Sequence, residues 1–132
     1  MSKLSAKKAA IALLPADEAD VLASRRFFGD ADSEWLLARV NDKKLNAHVI
    51  HLDGVPKYIL LWHKDVNDNL HVNCAIEKHG GGDLPGLVAG AKQLARENGC
   101  FGITFNTKRK GLFAEMAKLG FEFHGVAMAM RF

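Results

Sequence analysis

The residues with the most evident chemical potential lie between Leu70 and Phe121. An apolar, strand-like run, LHVNCAIEK, feeds the turn His79-Gly80-Gly81-Gly82-Asp83, and LPGLVAGAKQLAREN follows with helical spacing. A strand entering a glycine turn that opens a helix can present backbone N–H groups to an anion. The same turn also suits a plainer role, a flexible connection closed by Asp83 as helix cap. Glu77 ends the strand beside the turn and is the best-placed general base. Its plainer alternative is a surface carboxylate paired with Lys57 or Lys78. By simple alternation His71 shares a strand face with Glu77, where an imidazole can relay a proton or bind a ligand.

Other candidates are weaker. Lys108, Arg109 and Lys110 fall in the first turn of the last helix, where each cation costs about 0.3–1 kcal/mol against the helix dipole. An anionic partner would reverse that cost, and a solvated basic turn is the alternative. Six histidines raise the question of a metal. His48 and His51 differ by three on a strand and face opposite sides, so they cannot chelate together without a bulge. His63, His71 and His79 sit on separate segments, and no metal site is expected. Tyr58, Trp62, Phe101 and Phe105 fit a core better than a stacking platform. No Ser/His/Asp or Cys/His nucleophile pattern can be drawn from spacing.

The elements that must position these residues follow from periodicity. Residues 7–14, KKAAIALL, suit a first strand or the start of a helix, and Pro15 ends the run. ADEADVLASRRFF then places acids in a first turn and Arg25 and Arg26 in a last one, and Gly29 stops the helix. A second helix is expected from Asp32 or Ser33, with Ser33 as its cap, carrying Trp35, Leu36, Arg39 and Val40. The pattern then turns extended. NAHVIHL (46–52) and KYILLWH (57–63) flank Asp53-Gly54-Val55-Pro56, a strong hairpin signal. A turn over 64–69 leads to the strand 70–77, so three antiparallel strands form a meander. On the last of them alternation puts Leu70, Val72, Cys74 and Ile76 on one face, and His71, Asn73, Ala75 and Glu77 on the other. Leu84, Leu87, Val88, Ala91, Leu94 and Ala95 form the apolar stripe of a helix capped by Asp83 and stopped by Gly99. The strand Cys100–Phe105 completes a β-α-β crossover, which requires parallel pairing. A last helix buries Leu112, Phe113, Met116 and Leu119 and stops at Gly120. One strand, or two around Gly125, closes the chain.

Composition sets the outer limits. The chain has 132 residues, 48% hydrophobic and 25% charged, which suits one domain. Its net charge of +3 is too mild for a dedicated nucleic-acid binder, although SAKK and TKRK leave that reading open. No apolar run approaches a membrane span, and the start lacks a signal peptide's apolar core. Cys74 and Cys100 are expected to be buried free thiols of a cytoplasmic protein.

The order strand, helix, helix, meander, helix, strand, helix, strand resembles the GNAT superfamily, the Gcn5-related N-acetyltransferases. The C-terminal AKLGFEFHG and the turn around HGGGD are the closest local matches. The resemblance implies an α/β (α+β) fold, with a mixed, mostly antiparallel central sheet, helices on both faces and the crossover at 70–105. It implies acyl transfer from acetyl-CoA to an amine, with Glu77 and His71 as the catalytic candidates. Ala75, Ile76, His79, Gly80, Gly81, Gly82, Arg109 and Phe113 would hold the cofactor. The acceptor would be a small-molecule or peptide amine, and a homodimer is open. The family turn runs Gln/Arg-x-x-Gly-x-Gly/Ala; here His79 stands first and Leu84 last, and Asp83 brings a negative charge. Met116 aligns with the tyrosine that often acts as general acid. A non-catalytic module of the same shape, compatible with a phage-encoded protein, is therefore the second reading, and a nucleic-acid binder the third.

Overall fold

The computed structural model describes residues 10–78, 82–106, 110–124 and 127–132. In chain order the elements are β1 (Ile11–Pro15), α1 (Glu18–Leu22), α2 (Arg25–Phe28), α3 (Asp30–Asn41), β2 (Asn46–Leu52), β3 (Val55–Lys64), β4 (Asn69–Glu77), α4 (Leu84–Glu97), β5 (Gly102–Asn106), α5 (Lys110–Lys118), β6 (Glu122–His124) and β7 (Ala127–Arg131). The described strands form one sheet in the order β1-β2-β3-β4-β5-β7-β6. Only β4 and β5 pair in parallel, as a crossover through a helix demands. The expected mixed, mostly antiparallel α/β architecture is the one observed.

Each face of the sheet carries its own core. Val21 and Leu36 from the N-terminal helices pack on Val49, Ile59, Leu61, Cys74 and Ile76. Val88, Ala91, Leu94 and Ala95 of α4, with Met116 of α5, pack on Ile50, Leu60, Trp62, Leu70 and Ile103. This is why Tyr58–Trp62 reads as an unbroken apolar run: β3 is central and buried on both sides. The α4 stripe lies on the sheet as its periodicity requires, and Asp83 caps it by accepting from the Gly86 N–H at 2.9 Å. Asp53 and Gly54 both take positive φ, at 53° and 81°, the geometry of a two-residue hairpin turn. β3 consequently starts at Val55, two residues earlier than its apolar pattern, with Pro56 beside a bulge.

The N-terminal helices depart from expectation. The helix read over 17–28 is broken into α1 and α2 at Ser24. The Ser24 hydroxyl donates to the Val21 carbonyl at 2.8 Å, and the Ser33 hydroxyl meets Ser24 Oγ at 2.7 Å. Serine competes with the helix ladder by such local bonds, and a buried partner fixes the break. Ser33 is thereby buried inside α3, which begins at Asp30, and it caps nothing. Phe101 is 58% exposed and belongs to no core, whereas Tyr58, Trp62 and Phe105 are buried as expected.

The largest departure lies in β4. Leu61 pairs with Cys74 but Trp62 pairs with Val72, so Asn73 has no partner on β3. This bulge shifts the alternation by one residue. Leu70 and Val72 stay on the α4 face, while Cys74 and Ile76 pass to the α1–α3 face. Ala75 and Glu77, which pair with Leu60 and Tyr58, therefore face α4. His71 faces the other way, and its supposed shared face with Glu77 does not exist.

Both cysteines are buried and free. Burial pushes the Cys74 thiol up to about 11, so it stays protonated and unreactive at neutral pH.

Two predictions follow from this packing. A Cβ on Gly102 would meet the Met130 carbonyl oxygen at 2.4 Å and Asn69 Oδ1 at 2.7 Å, where β5 is squeezed between neighbours. Gly102→Ala is expected to cost about 1–3 kcal/mol, read from urea unfolding midpoints. Trp62 Nε1–H donates to His48 Nδ1 at 3.0 Å, and burial holds the His48 ring below its usual range, partly opposed by Glu97. The unfolded chain thus takes up this proton first on acidification, and stability falls as pH drops below about 6.5. Thermal unfolding across that range checks it, with a smaller loss in His48→Gln.

Candidate functional site

The site forms where β4 leaves β5. Their pairing covers only Asn69–Val72 against Gly102–Phe105. Beyond Val72, β5 continues beside β7 while the β5-side edge of β4 from Asn73 to Glu77 pairs with no described strand. The wedge between them opens on the α4–α5 face as a cleft of about 110 Å³ lined by apolar side chains. Val72 and Ala75 form its roof, Leu84 and Leu87 come from α4, and Leu112 and Met116 from α5. An extended arm with amide groups could add to the free strand edge and lie in this cleft.

Two oxygens stand beyond Leu60 and Ala75 of the cleft, where β3 and β4 approach Gly82. A Cβ on Gly82 would lie 3.1 Å from Glu77 Oε1 and 3.8 Å from the Tyr58 hydroxyl, so both border the space left by the missing side chain. Glu77 Oε1 is buried and has no hydrogen-bond partner among the described residues. The expected pairing with a lysine is not made: Lys78 binds Asp20 at 2.8 Å instead. A buried, unpartnered carboxylate oxygen is costly, and it suits a group that waits for a donor. Arg26 reaches the same corner from α2 and donates to the Glu77 carbonyl at 2.8 Å.

Tyr58 was expected only as core, yet its hydroxyl accepts the Asp83 N–H at 2.5 Å. Burial raises the phenol above its usual range, and the Glu77 and Asp83 carboxylates add to that effect against the stabilising Asp83 N–H. The ring therefore keeps its proton and can donate it. Only the register that sets Tyr58 opposite Glu77 reveals this placement; composition and spacing carry no signal of it.

The α4 N-terminus is largely occupied from within. Asp83 N–H goes to Tyr58, Pro85 has no N–H, Gly86 N–H goes to the Asp83 side chain, and Leu87 N–H to the Asp83 carbonyl. Leu84 and Gly82 remain as the described donors available to an anion.

The other expected site residues divide by face. Ala75 lines the cleft, but Ile76 is buried in the opposite core and can contribute only its backbone. His71 bonds Thr104 on the far face and cannot act with Glu77, because the bulge separates them. Met116 lines the cleft at the position matched to a tyrosine. His79, Gly80, Gly81 and Arg109 lie outside the described residues, as do the SAKK tetrad and most of TKRK. Phe113 falls within α5, and its side chain is likewise outside them. On the α1–α2 face, a groove of about 510 Å³ bordered by Ala19, Leu22, Arg26, Ile76 and Glu77 approaches the same end of β4. Among the described residues no group of three or more metal-ligating side chains gathers, and no helix is long and apolar enough to cross a membrane.

Removing the Tyr58 hydroxyl would strand the Asp83 N–H. Tyr58→Phe is therefore expected to lose about 1–3 kcal/mol, measured by chemical denaturation, with the native circular dichroism spectrum retained.

No family model matches the chain, and no curated protein matches it in sequence. Solved structures do match. IAA acetyltransferase from Bacillus cereus ATCC 14579 superposes with a TM-score of 0.68 at 12% identity, over 93% of this chain and 100% of its own. AAC(6′)-Ib, determined with ribostamycin and coenzyme A, gives a TM-score of 0.68 at 13% identity, over 92% of this chain and 93% of its own. The GNAT family N-acetyltransferase YhbS from Escherichia coli, in complex with CoA, gives 0.66 at 19% identity, over 99% and 85%. With one acetyltransferase from Bacillus anthracis the match spans 62% of that protein's length. The chain has the GNAT fold.

Proposed function

We propose that the chain is an N-acyltransferase of the GNAT superfamily, moving an acetyl group from acetyl-CoA to a small-molecule or peptide amine. The observation that carries this reading is the wedge between β4 and β5, with its free strand edge and apolar cleft. Coenzyme A would supply the acetyl group as a thioester. Its arm would enter the cleft, and the backbone of Asn73–Glu77 would hold it. Ala75, Leu84, Phe105 and Met116 would keep water from that arm. Gly82 leaves space beside Glu77, and His79–Gly82, Arg109 and Phe113 would complete the seat for the nucleotide end. Glu77 would take the proton from the acceptor's ammonium group, a role supported by its Oε1 having no hydrogen-bond partner among the described residues. Tyr58 would return a proton at the same corner, in place of the hydroxyl that Met116 lacks. The acceptor would approach along the groove beside Arg26.

The second reading is a non-catalytic protein of the same shape. It is favoured by the α4 N-terminus, where Tyr58 and Asp83 already take up the N–H groups of Asp83, Gly86 and Leu87 and the Asp83 carboxylate opposes a diphosphate.

Isothermal titration with acetyl-CoA separates the two. The enzyme reading expects measurable heat, and turnover of an amine panel that falls about 10²–10⁴-fold in Glu77→Gln with acetyl-CoA affinity unchanged. No heat at high micromolar ligand sinks it in favour of the non-catalytic module.

A further inference from the structure

The face of the sheet opposite the cleft carries a constellation that acyl transfer does not use. His63 on β3 and His71 on β4 are directly paired across the two strands, and their ring centres lie 5.2 Å apart. Each ring is tethered through Nδ1. His63 Nδ1 meets Asn73 Oδ1 at 2.7 Å, and His71 Nδ1 meets Thr104 Oγ1 at 2.7 Å. With Asn73 Oδ1 as the acceptor, the His63 tautomer that fits this contact donates from Nδ1 and leaves the Nε2 lone pair free. The Thr104 hydroxyl can accept from His71 in the same way. Neither Nε2 has a partner among the described residues, and neither is a buried orphan, so both reach solvent. Asn73 reaches His63 because the bulge removes it from the ladder.

Imidazoles fixed through one nitrogen with the other exposed are the arrangement of metal-ligating histidines. The spacing agrees. A metal bound on the Nε2 axis at about 2.0–2.1 Å sits roughly 3.2 Å from the ring centre, so two rings at a tetrahedral angle have centres about 5.2 Å apart.

We propose that His63 and His71 form a two-imidazole site for one divalent transition-metal ion, with Asn73 and Thr104 as positioning residues and solvent in the remaining coordination positions. The donor set selects borderline ions, copper(II) above zinc(II) in affinity, and excludes magnesium and calcium. The site lies on the opposite sheet face from Glu77, so it stands whether or not the chain binds acetyl-CoA.

The test titrates tag-free protein with copper(II) at neutral pH, followed by calorimetry and by quenching of the two tryptophans. One ion per chain is expected, with electron paramagnetic resonance reporting imidazole nitrogen coupling. His63→Ala and His71→Ala should each weaken binding at least tenfold, Asn73→Ala about 10–100-fold, and His51→Asn should not change it. Zinc(II) added to the unaltered protein should shift the imidazole resonances of His63 and His71 alone, a readout that needs no variant to fold. Absence of uptake at millimolar ion, or a double His63→Ala/His71→Ala variant that binds within twofold of the parent, overturns the site.

Discussion

One extra residue in β4 governs most of what this fold presents. Asn73 has no partner on β3, so the strand changes which side chains face which core halfway along its length. Before the bulge Leu70 and Val72 face α4; after it Ala75 and Glu77 do. The same kink lies next to the last residue that pairs with β5, and from there the two strands diverge. A bulge increases local twist and ends regular pairing, which is how an otherwise continuous sheet comes to hold a cleft. The cleft, the carboxylate at its end and the histidine pair behind it are consequences of a single register shift.

The chemistry of the two faces follows from that separation. On the α4 face, apolar side chains line a wedge that ends at two oxygens, Glu77 Oε1 and the Tyr58 hydroxyl, beside the gap at Gly82. On the other face, Asn73 of β4 and Thr104 of β5 tether two imidazoles. The residues of the meander thus serve two unrelated environments less than one sheet thickness apart. Asp83 ties the first of these to α4, capping the helix with its side chain and binding Tyr58 with its N–H. That latch is the main physical objection to a diphosphate at this helix terminus, because a donor already satisfied must be released before it can bind anything else.

Relation to solved structures is one of shape. Identities of 12–19% accompany superpositions over nearly the whole chain. At that distance the same layers and strand order can be kept by many sequences, because a core needs apolar volume in the right pattern and tolerates its identity changing. A fold alone does not fix function, and at the wedge the chain places Met116 in the cleft, Tyr58 on the strand, and Asp83 at the helix start.

By itself the sequence determined the meander, the α4 helix, the crossover and their order, while it left the first segment open between strand and helix. Period 3.6 over Leu84–Asn98, the Asp53-Gly54 turn and the apolar runs of the meander are local signals, and local sterics and burial decide them. It also marked Glu77 and the glycine turn as candidates for chemistry at the end of the strand. Tertiary structure alone decided the faces. Strict alternation put His71 with Glu77 and Cys74 with Leu70, and a bulge, which depends on how two strands distant in sequence are held together, reversed both. The break at Ser24 likewise required its buried contact with Ser33, and Tyr58 comes beside Glu77 only through the register of β3 on β4. Periodicity reports which residues are apolar, but which neighbour a side chain meets is settled by long-range pairing that no local pattern encodes.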